Sequence, residues 1–526
     1  MVKHCIFLLL IFFTSSLLAQ KKAPKNWQLL NPLTDKVYGI GLENAYLSLK
    51  DKKANTVIVA VIDSGTDIEH EDLKDIIWKN EGEIADNNID DDKNGYIDDV
   101  NGWSFLGGKN SDINYESSEL ARIFHKLNKK FENADTSKLI DAELKEFIYY
   151  KKIKISFFNE QKTLELQLNN IQFFSSFLDK VKKQNNGLLS KEALKNFVPE
   201  NGLDKKIKKR MKFLFLLGLK PEKLEEELKN GKENFENSLK YNQMNADSIR
   251  EYIVGDDLSN LNNPYYGCNR VKGPDALHGT HVSGIIAAIR NNNIGINGIA
   301  ANVKIMPIRA VPNGDERDKD IACAIKYAVD NGAKIINMSF GKYYSPDKKL
   351  VDDALNYALS KDVLLIHAAG NDSKNSDKEL SFPNRELISD SIVPNWIEVG
   401  ASSFSGGKNL IGSFSNFGKT KVDLFAPGVD IYSTIPDNKY INESGTSMAS
   451  PTVAGVAAVI RGYFPELKAD EVKAVLMKTV VRYKKKVIIP GSGNRKVKMK
   501  ELCVSGGIVN VNNAVLELMG LNKKLN

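Results

Sequence analysis

Cysteine, histidine and tryptophan are scarce, with 4, 6 and 4 residues in a chain of 526. So few cysteines exclude a disulfide-stapled scaffold, and the cysteine and histidine spacings exclude a zinc motif. After the N-terminal segment only Cys268, Cys323 and Cys503 remain, an odd set that allows at most one internal bridge, Cys268 with Cys503. Cys323, in IACAIKYAV, reads as a small core residue. Beyond the N terminus no stretch approaches the ~18 consecutive apolar residues of a membrane helix. A dominant sign of charge is also lacking: 73 Lys and Arg are interleaved with 66 Asp and Glu, for a net charge of +7. That balance gives no case for nucleic-acid binding. At 42% hydrophobic and 26% charged residues, the composition is that of a chain with room for a large core and more than one domain.

The first 20 residues, MVKHCIFLLLIFFTSSLLAQ, carry Lys3, an apolar run from Ile6 to Phe13 and a small-residue end near Ala19. This layout predicts a secretory signal peptide over 1–20, with an uncleaved anchor as the alternative. An exported protein, periplasmic or secreted, with no membrane span after signal removal, is the expectation.

From Thr56 onward apolar runs alternate with amphipathic helical patterns. TVIVAVI ends at Asp63, KIMPIRAV precedes the helical DKDIACAIKYAVDNG, KIINMSF precedes a helix around LVDDALNYALS, and VLLIHAAG and WIEVGAS follow. Continuous Val, Ile and Leu runs separated by helices predict an α/β fold with a mainly parallel sheet between helices. Ligands bind such sheets at the carboxyl ends of the strands, where Asp63 and the Ala368-Ala369-Gly370-Asn371 stretch both fall. Residues 107–259 break the rhythm: rich in Lys, Glu, Asn and Phe, they read as an inserted helical subdomain between an N-terminal part, 21–106, and the remainder, 260–526. Within the insert Leu164, Leu168, Ile171, Phe174, Leu178 and Val181 recur at spacings of three and four, one helix face, read as packing on the main domain.

Three short stretches carry chemistry. ESGTSMASPTVAGVAAVI sets Ser447 among small residues at the mouth of an apolar helix, with Pro451 read in its first turn. VIDSGTD ends a buried strand on Asp63, and HGTHVSGIIAAI opens a second apolar helix with His278. Taken singly, Ser447 reads as an N-cap, His278 as a structural histidine and Asp63 as a turn cap. Taken together they supply what amide hydrolysis needs: a nucleophile, a base near neutral pKa, and a carboxylate to hold that base in one tautomer. Asn371 can add a side-chain donor for the oxyanion, beside the Ser447 backbone N–H.

VIDSGTD, HGTHVSG, AAGN and GTSMASP, in this order, resemble the signature stretches of the subtilisin-like (subtilase) serine proteases. The resemblance implies a subtilisin-like three-layer domain, with Asp63 orienting the base, His278 as general base and acid, Ser447 as nucleophile and Asn371 as oxyanion donor. It also implies that His281 is not the base, and that Ser339, Phe340 and Gly341, with Gly370, form the edge on which a protein or peptide substrate adds as a strand. No catalytic cofactor is expected. Only a short stretch precedes NWQLLNPLTD, too little for the N-terminal propeptide that the resemblance implies; folding unaided and assistance from the insert both stay open.

Structural calcium is expected at places where subtilases hold it. Asp72, with the Asn292 side chain and the Ile294 and Ile296 carbonyls, forms one oxygen set. Asp90, Asp92, Asn94 and Asp98 in DDDKNGYIDD form a second, spaced like a calcium loop around Gly95. The leading expectation is thus an exported serine endopeptidase. The alternative is a catalytically silent scaffold of the same fold whose insert binds a partner of unknown identity.

Overall fold

Strands that are apolar at every position can only exist where both sheet faces are covered, and successive residues then feed two different cores. The computed structural model, which describes residues 23–216, 220–244 and 246–521, has this arrangement. Its strands are β1 (Val57–Asp63), β2 (Trp103–Ser104), β3 (Val303–Arg309), β4 (Ile335–Met338), β5 (Leu364–Ala368), β6 (Trp396–Ser402), β7 (Leu424–Pro427), β8 (Ile431–Ile435), β9 (Lys439–Glu443), β10 (Val481–Arg482), β11 (Val487–Ile488), β12 (Lys496–Val497) and β13 (Gly507–Ile508). Nine of them form one sheet in the order β10-β13-β7-β6-β5-β4-β1-β3-β2. Every pairing in it is parallel except β10 with β13.

In β1, Val57, Val59 and Val61 enter one core while Ala60 and Ile62 enter the other. The first core is closed by the helices Leu277–Ala287 and Thr446–Tyr463, the second by Asp318–Asp330 and Lys348–Ser360. These helices and strands lie where the alternation of sequence patterns predicts them. The described residues divide into two compact units, those within 115–246 and those within 23–114 and 247–521. The expected signal peptide, 1–20, lies outside the described residues.

The unit of residues 115–246 is helical, built on a 43-residue helix, Asp141–Lys183. The apolar stripe read from sequence differs from expectation in where it packs. Ile171, Phe174, Leu178 and Val181 are buried with Phe197, Met211, Leu224 and Leu228 of the same unit. Leu164 and Leu168 are only partly buried. The unit therefore supplies its own core, because the segments after Lys183 bring apolar residues back onto that face. Cys268, Cys323 and Cys503 are free thiols, and burial pushes the Cys323 and Cys503 thiols up to about 11.

Candidate active site

Asp63 is the last residue of β1, and its turn has to admit another backbone. A Cβ on Gly279 would stand 2.1 Å from the Gly65 carbonyl oxygen, so only glycine lets the helix Leu277–Ala287 approach this closely. That approach sets His278, the second residue of the helix, over Asp63. The His278 Nδ1–H donates to Asp63 Oδ1 at 2.7 Å, and the same oxygen accepts the Ser64 N–H at 2.7 Å. The Asp63 side chain is 3% exposed and that of His278 38%. Burial works to lower the His278 pKa, but the charge and hydrogen bond of Asp63, with Glu443 and Asp275 nearby, outweigh it and leave the imidazole raised. His281 is the opposite case: burial and the neighbouring His278 push it down to about 3, so it stays neutral.

Ser447 is the second residue of the helix Thr446–Tyr463. The helix starts at Thr446, which places Pro451 in its second turn and corrects the first-turn expectation. A residue at 451 would ordinarily donate its N–H to the Ser447 carbonyl; proline cannot. Ser339 Oγ, just beyond β4, fills that place by donating to the Ser447 carbonyl at 3.0 Å. Ser447 Oγ in turn donates to the Ser339 carbonyl at 3.1 Å, a reciprocal pair that ties the helix mouth to the end of β4. Among the described contacts the Ser447 hydroxyl is thus on Ser339 and makes no hydrogen bond to His278. Behind the pair, Ser450 Oγ donates to Asn337 Oδ1 at 2.8 Å, and Asn337 Nδ2 donates to Ser339 Oγ at 3.0 Å.

Asn371 follows β5. Its Oδ1 accepts both the Thr446 N–H, at 2.9 Å, and the Thr446 hydroxyl, at 3.0 Å, while that hydroxyl accepts the Gly370 N–H at 3.1 Å. With Oδ1 held, Nδ2 faces away from Thr446. A Cβ placed on Gly445 would stand 3.5 Å from Asn371 Nδ2 and 3.6 Å from the Ser447 nitrogen, so the two nitrogens border the same space. Gly445 has φ 173°, extended backbone open to any residue, so its glycine clears space rather than permitting a conformation. Thr446 and the Ser339–Asn337–Ser450 chain escape sequence reasoning, since nothing local marks a hydroxyl as bonded to a residue a hundred positions away.

Ser339, Phe340, Gly341 and Gly370, the predicted substrate edge, line a cavity of about 310 Å³ together with Asn371, Thr446 and Ser447. It opens at the carboxyl ends of β4 and β5, the place the parallel sheet predicts.

The metal expectations fare differently. Asp72 is fully buried, and its oxygens accept Asn292 Nδ2 at 2.7 Å and the Ile296 N–H at 3.2 Å. The Ile294 N–H donates to Asn292 Oδ1 at 3.2 Å. Burial raises the Asp72 pKa against these hydrogen bonds. The structure thus gathers Asp72, Asn292 and Ile296 in one hydrogen-bonded turn. In the second loop the structure gathers Glu83, Asp90 and Asp92, with one oxygen from each within 4.8 Å of the others. Asp98 is not in this group: its oxygens accept the Asn87 and Asn88 N–H groups at 3.1 and 3.0 Å. Asn94 turns its amide nitrogen to Asp92 at 3.1 Å and to Asp99 at 3.2 Å. Glu83 lies outside the DDDKNGYIDD run, which is why spacing alone missed it. Three converging carboxylates fit a hard cation.

The chain is similar in sequence to known proteases. The chain is 45% identical over 184 residues to a thermophilic serine proteinase of Bacillus sp. strain AK1, covering 35% of this chain and 42% of that protein. It is 36% identical over 235 residues to a cell wall-associated protease of Bacillus subtilis strain 168, covering 44% and 24%. To subtilisin DY of Bacillus licheniformis it is 37% identical over 204 residues, covering 38% and 69%. The matched region thus spans less than half the length of the first two relatives. The pattern of the subtilase family, peptidase S8, runs through residues 54–502, and the chain belongs to that family.

Proposed function

We propose that the protein is an exported serine endopeptidase. The reading rests on one observation above the others: a buried carboxylate holds the His278 Nδ1–H at 2.7 Å, and the stretches that carry this pair precede those of Asn371 and Ser447 in the family's order. Ser447 Oγ, turned off the Ser339 carbonyl, attacks the substrate carbonyl carbon while His278 Nε2 takes its proton. The oxyanion settles between Asn371 Nδ2 and the Ser447 N–H. Collapse expels the amine with the proton from His278 and leaves an acyl group on Ser447, which water then removes by the same relay. Asp63 keeps the imidazole in the tautomer that both halves require.

A fluorophosphonate probe tests the reading. The expected result is a single adduct that maps to Ser447 and disappears in Ser447→Ala. Folded wild-type protein that takes no label, or label that persists in Ser447→Ala, overturns it, and the first outcome would favour the silent-scaffold alternative.

Thr446→Val removes the hydroxyl on Asn371 and leaves only the backbone N–H to hold the amide. The expected loss is about tenfold in kcat with little change in KM, because the oxyanion exists only after attack. An equal rise in KM with kcat untouched would contradict the positioning role.

Structural calcium is proposed at Glu83, Asp90 and Asp92, where mutual repulsion of three carboxylates makes a bound cation stabilising. At calcium about 100-fold above Kd the linkage is about 2.7 kcal/mol, so a chelator is expected to lower Tm by roughly 5 °C. Asp90→Asn should abolish that dependence, and a melting curve indifferent to chelation would remove the site.

A further inference from the structure

A chain whose charges are otherwise interleaved concentrates one sign on a single helix. Gly202–Leu216, GLDKKIKKRMKFLFL, carries six Lys and Arg against one Asp. Its inner face, Ile207, Met211, Leu214 and Phe215, is buried in the core of the 115–246 unit. Residues three, four and seven apart share a face of a helix, and here the outer face is Lys205, Lys206, Lys209 and Lys212, all exposed. Phe213 lies among them and is 50% exposed. The acid of this helix is committed elsewhere: Asp204 is buried and pairs with Lys180 at 3.2 Å. Lys208 is half-buried and donates to the Lys195 carbonyl at 2.9 Å. Among the described residues none of the four outer lysines has an acidic partner. The next helix, Pro221–Gln243, is built differently: Lys223 meets Glu227 and Lys232 meets Glu236 one turn on, at 3.7 and 3.8 Å. On Gly202–Leu216 the same spacing opposes Lys205 to Lys209 and Lys208 to Lys212, like charges that destabilise a helix.

Such repulsion is offset when a negative surface covers the face. We infer that the outer face of Gly202–Leu216 is a docking surface for an anionic lipid bilayer. Charge complementarity is the first ground: a cluster of four or more cations on a surface helix is drawn to acidic headgroups, each cation by about fivefold in affinity. The kind of cation is the second. The four outermost are all lysine, a mobile point charge without the rigid fork that grips one phosphate or base edge, and headgroups that diffuse in the bilayer plane rearrange around such charges. Phe213 is the third, because an aromatic ring among the lysines reaches the boundary between headgroups and acyl chains. The apolar face of the helix is already buried in its own unit, so binding is to the bilayer surface and not by insertion of the helix. The surface is independent of the peptidase reading.

Co-sedimentation of the full chain with vesicles tests it, read as the ratio of binding to vesicles containing phosphatidylglycerol over binding to neutral phosphatidylcholine vesicles. The N-terminal apolar segment is common to every variant and cancels in the comparison between them. Wild-type protein is expected to give a ratio of about 100 at low salt that falls toward one at high salt. The triple variant Lys205→Gln, Lys209→Gln, Lys212→Gln is expected to cut the ratio about 100-fold, and Lys209→Gln alone about fivefold. Neither should melt below wild type, since like charges are removed. A control, Lys195→Gln, Lys223→Gln, Lys232→Gln, removes the same net charge from lysines that have acidic partners and is expected to stay within about threefold of wild type. A wild-type ratio near one overturns the inference, and so does an outer-face variant that keeps the wild-type ratio. A control that loses as much as the outer-face variant overturns it by reducing the effect to net charge. A ratio near one with salt-sensitive binding of a short DNA duplex, lost in the outer-face variant, would overturn it and assign the face to nucleic acid.

Discussion

Ser447→Ala is expected to lower kcat by about 10⁶-fold, the scale of removing the nucleophile from a triad that works as a unit. The loss should come with little change in folding. The hydroxyl is only partly buried and its hydrogen bond is to the Ser339 carbonyl at 3.1 Å. Alanine keeps the Ser447 carbonyl that accepts Ser339 Oγ, and it keeps the backbone N–H beside Asn371. Hydrolysis of an unfolded protein substrate and a melting curve on the same preparation check both halves. Turnover near the wild-type rate would refute Ser447 as nucleophile.

Asp63→Asn is expected to cost about 10⁴-fold in kcat, because an amide facing Nδ1 can hold the imidazole in the wrong tautomer. It should also move the pH profile in a definite direction. The base works only when neutral, so kcat/KM rises with pH through the His278 pKa. The Asp63 charge and hydrogen bond hold that pKa up against burial, which places the acid limb above the ordinary imidazole value near ~6.5 in wild type. In Asp63→Asn the upward push is gone while burial remains, and the limb should shift to lower pH even as the plateau falls. A collapsed plateau with an unmoved limb would mean that Asp63 does not act on His278.

The frame of this site is readable from sequence because its parts are continuous. Val57–Asp63 is an unbroken apolar run ending on a polar residue, Leu277–Ala287 and Thr446–Tyr463 carry His278 and Ser447 at the mouths of largely apolar stretches, and the parallel-sheet rule carries Asp63 and Asn371 to the same edge. What closes the site is not continuous. Thr446 on Asn371 and Ser339 on the Ser447 carbonyl are contacts between residues 75 and 108 positions apart. No spacing rule reaches them. Pro451 shows the same limit, since its position in the helix depends on where the helix starts, and Thr446 rather than the proline sets that start. The calcium loop shows a further limit: Glu83, which joins Asp90 and Asp92 in the acidic cluster, lies outside the regularly spaced run. Strands of two residues, such as β2, β10 and β13, carry too short a pattern to be read at all.

The central claim is that His278 and Ser447 act as one device. A cycle of kcat/KM over wild type, His278→Ala, Ser447→Ala and the double variant tests it most directly. The account predicts that the double variant loses no more than either single one, since removing one member already disables the other. Losses that multiply would show two independent groups and contradict the account.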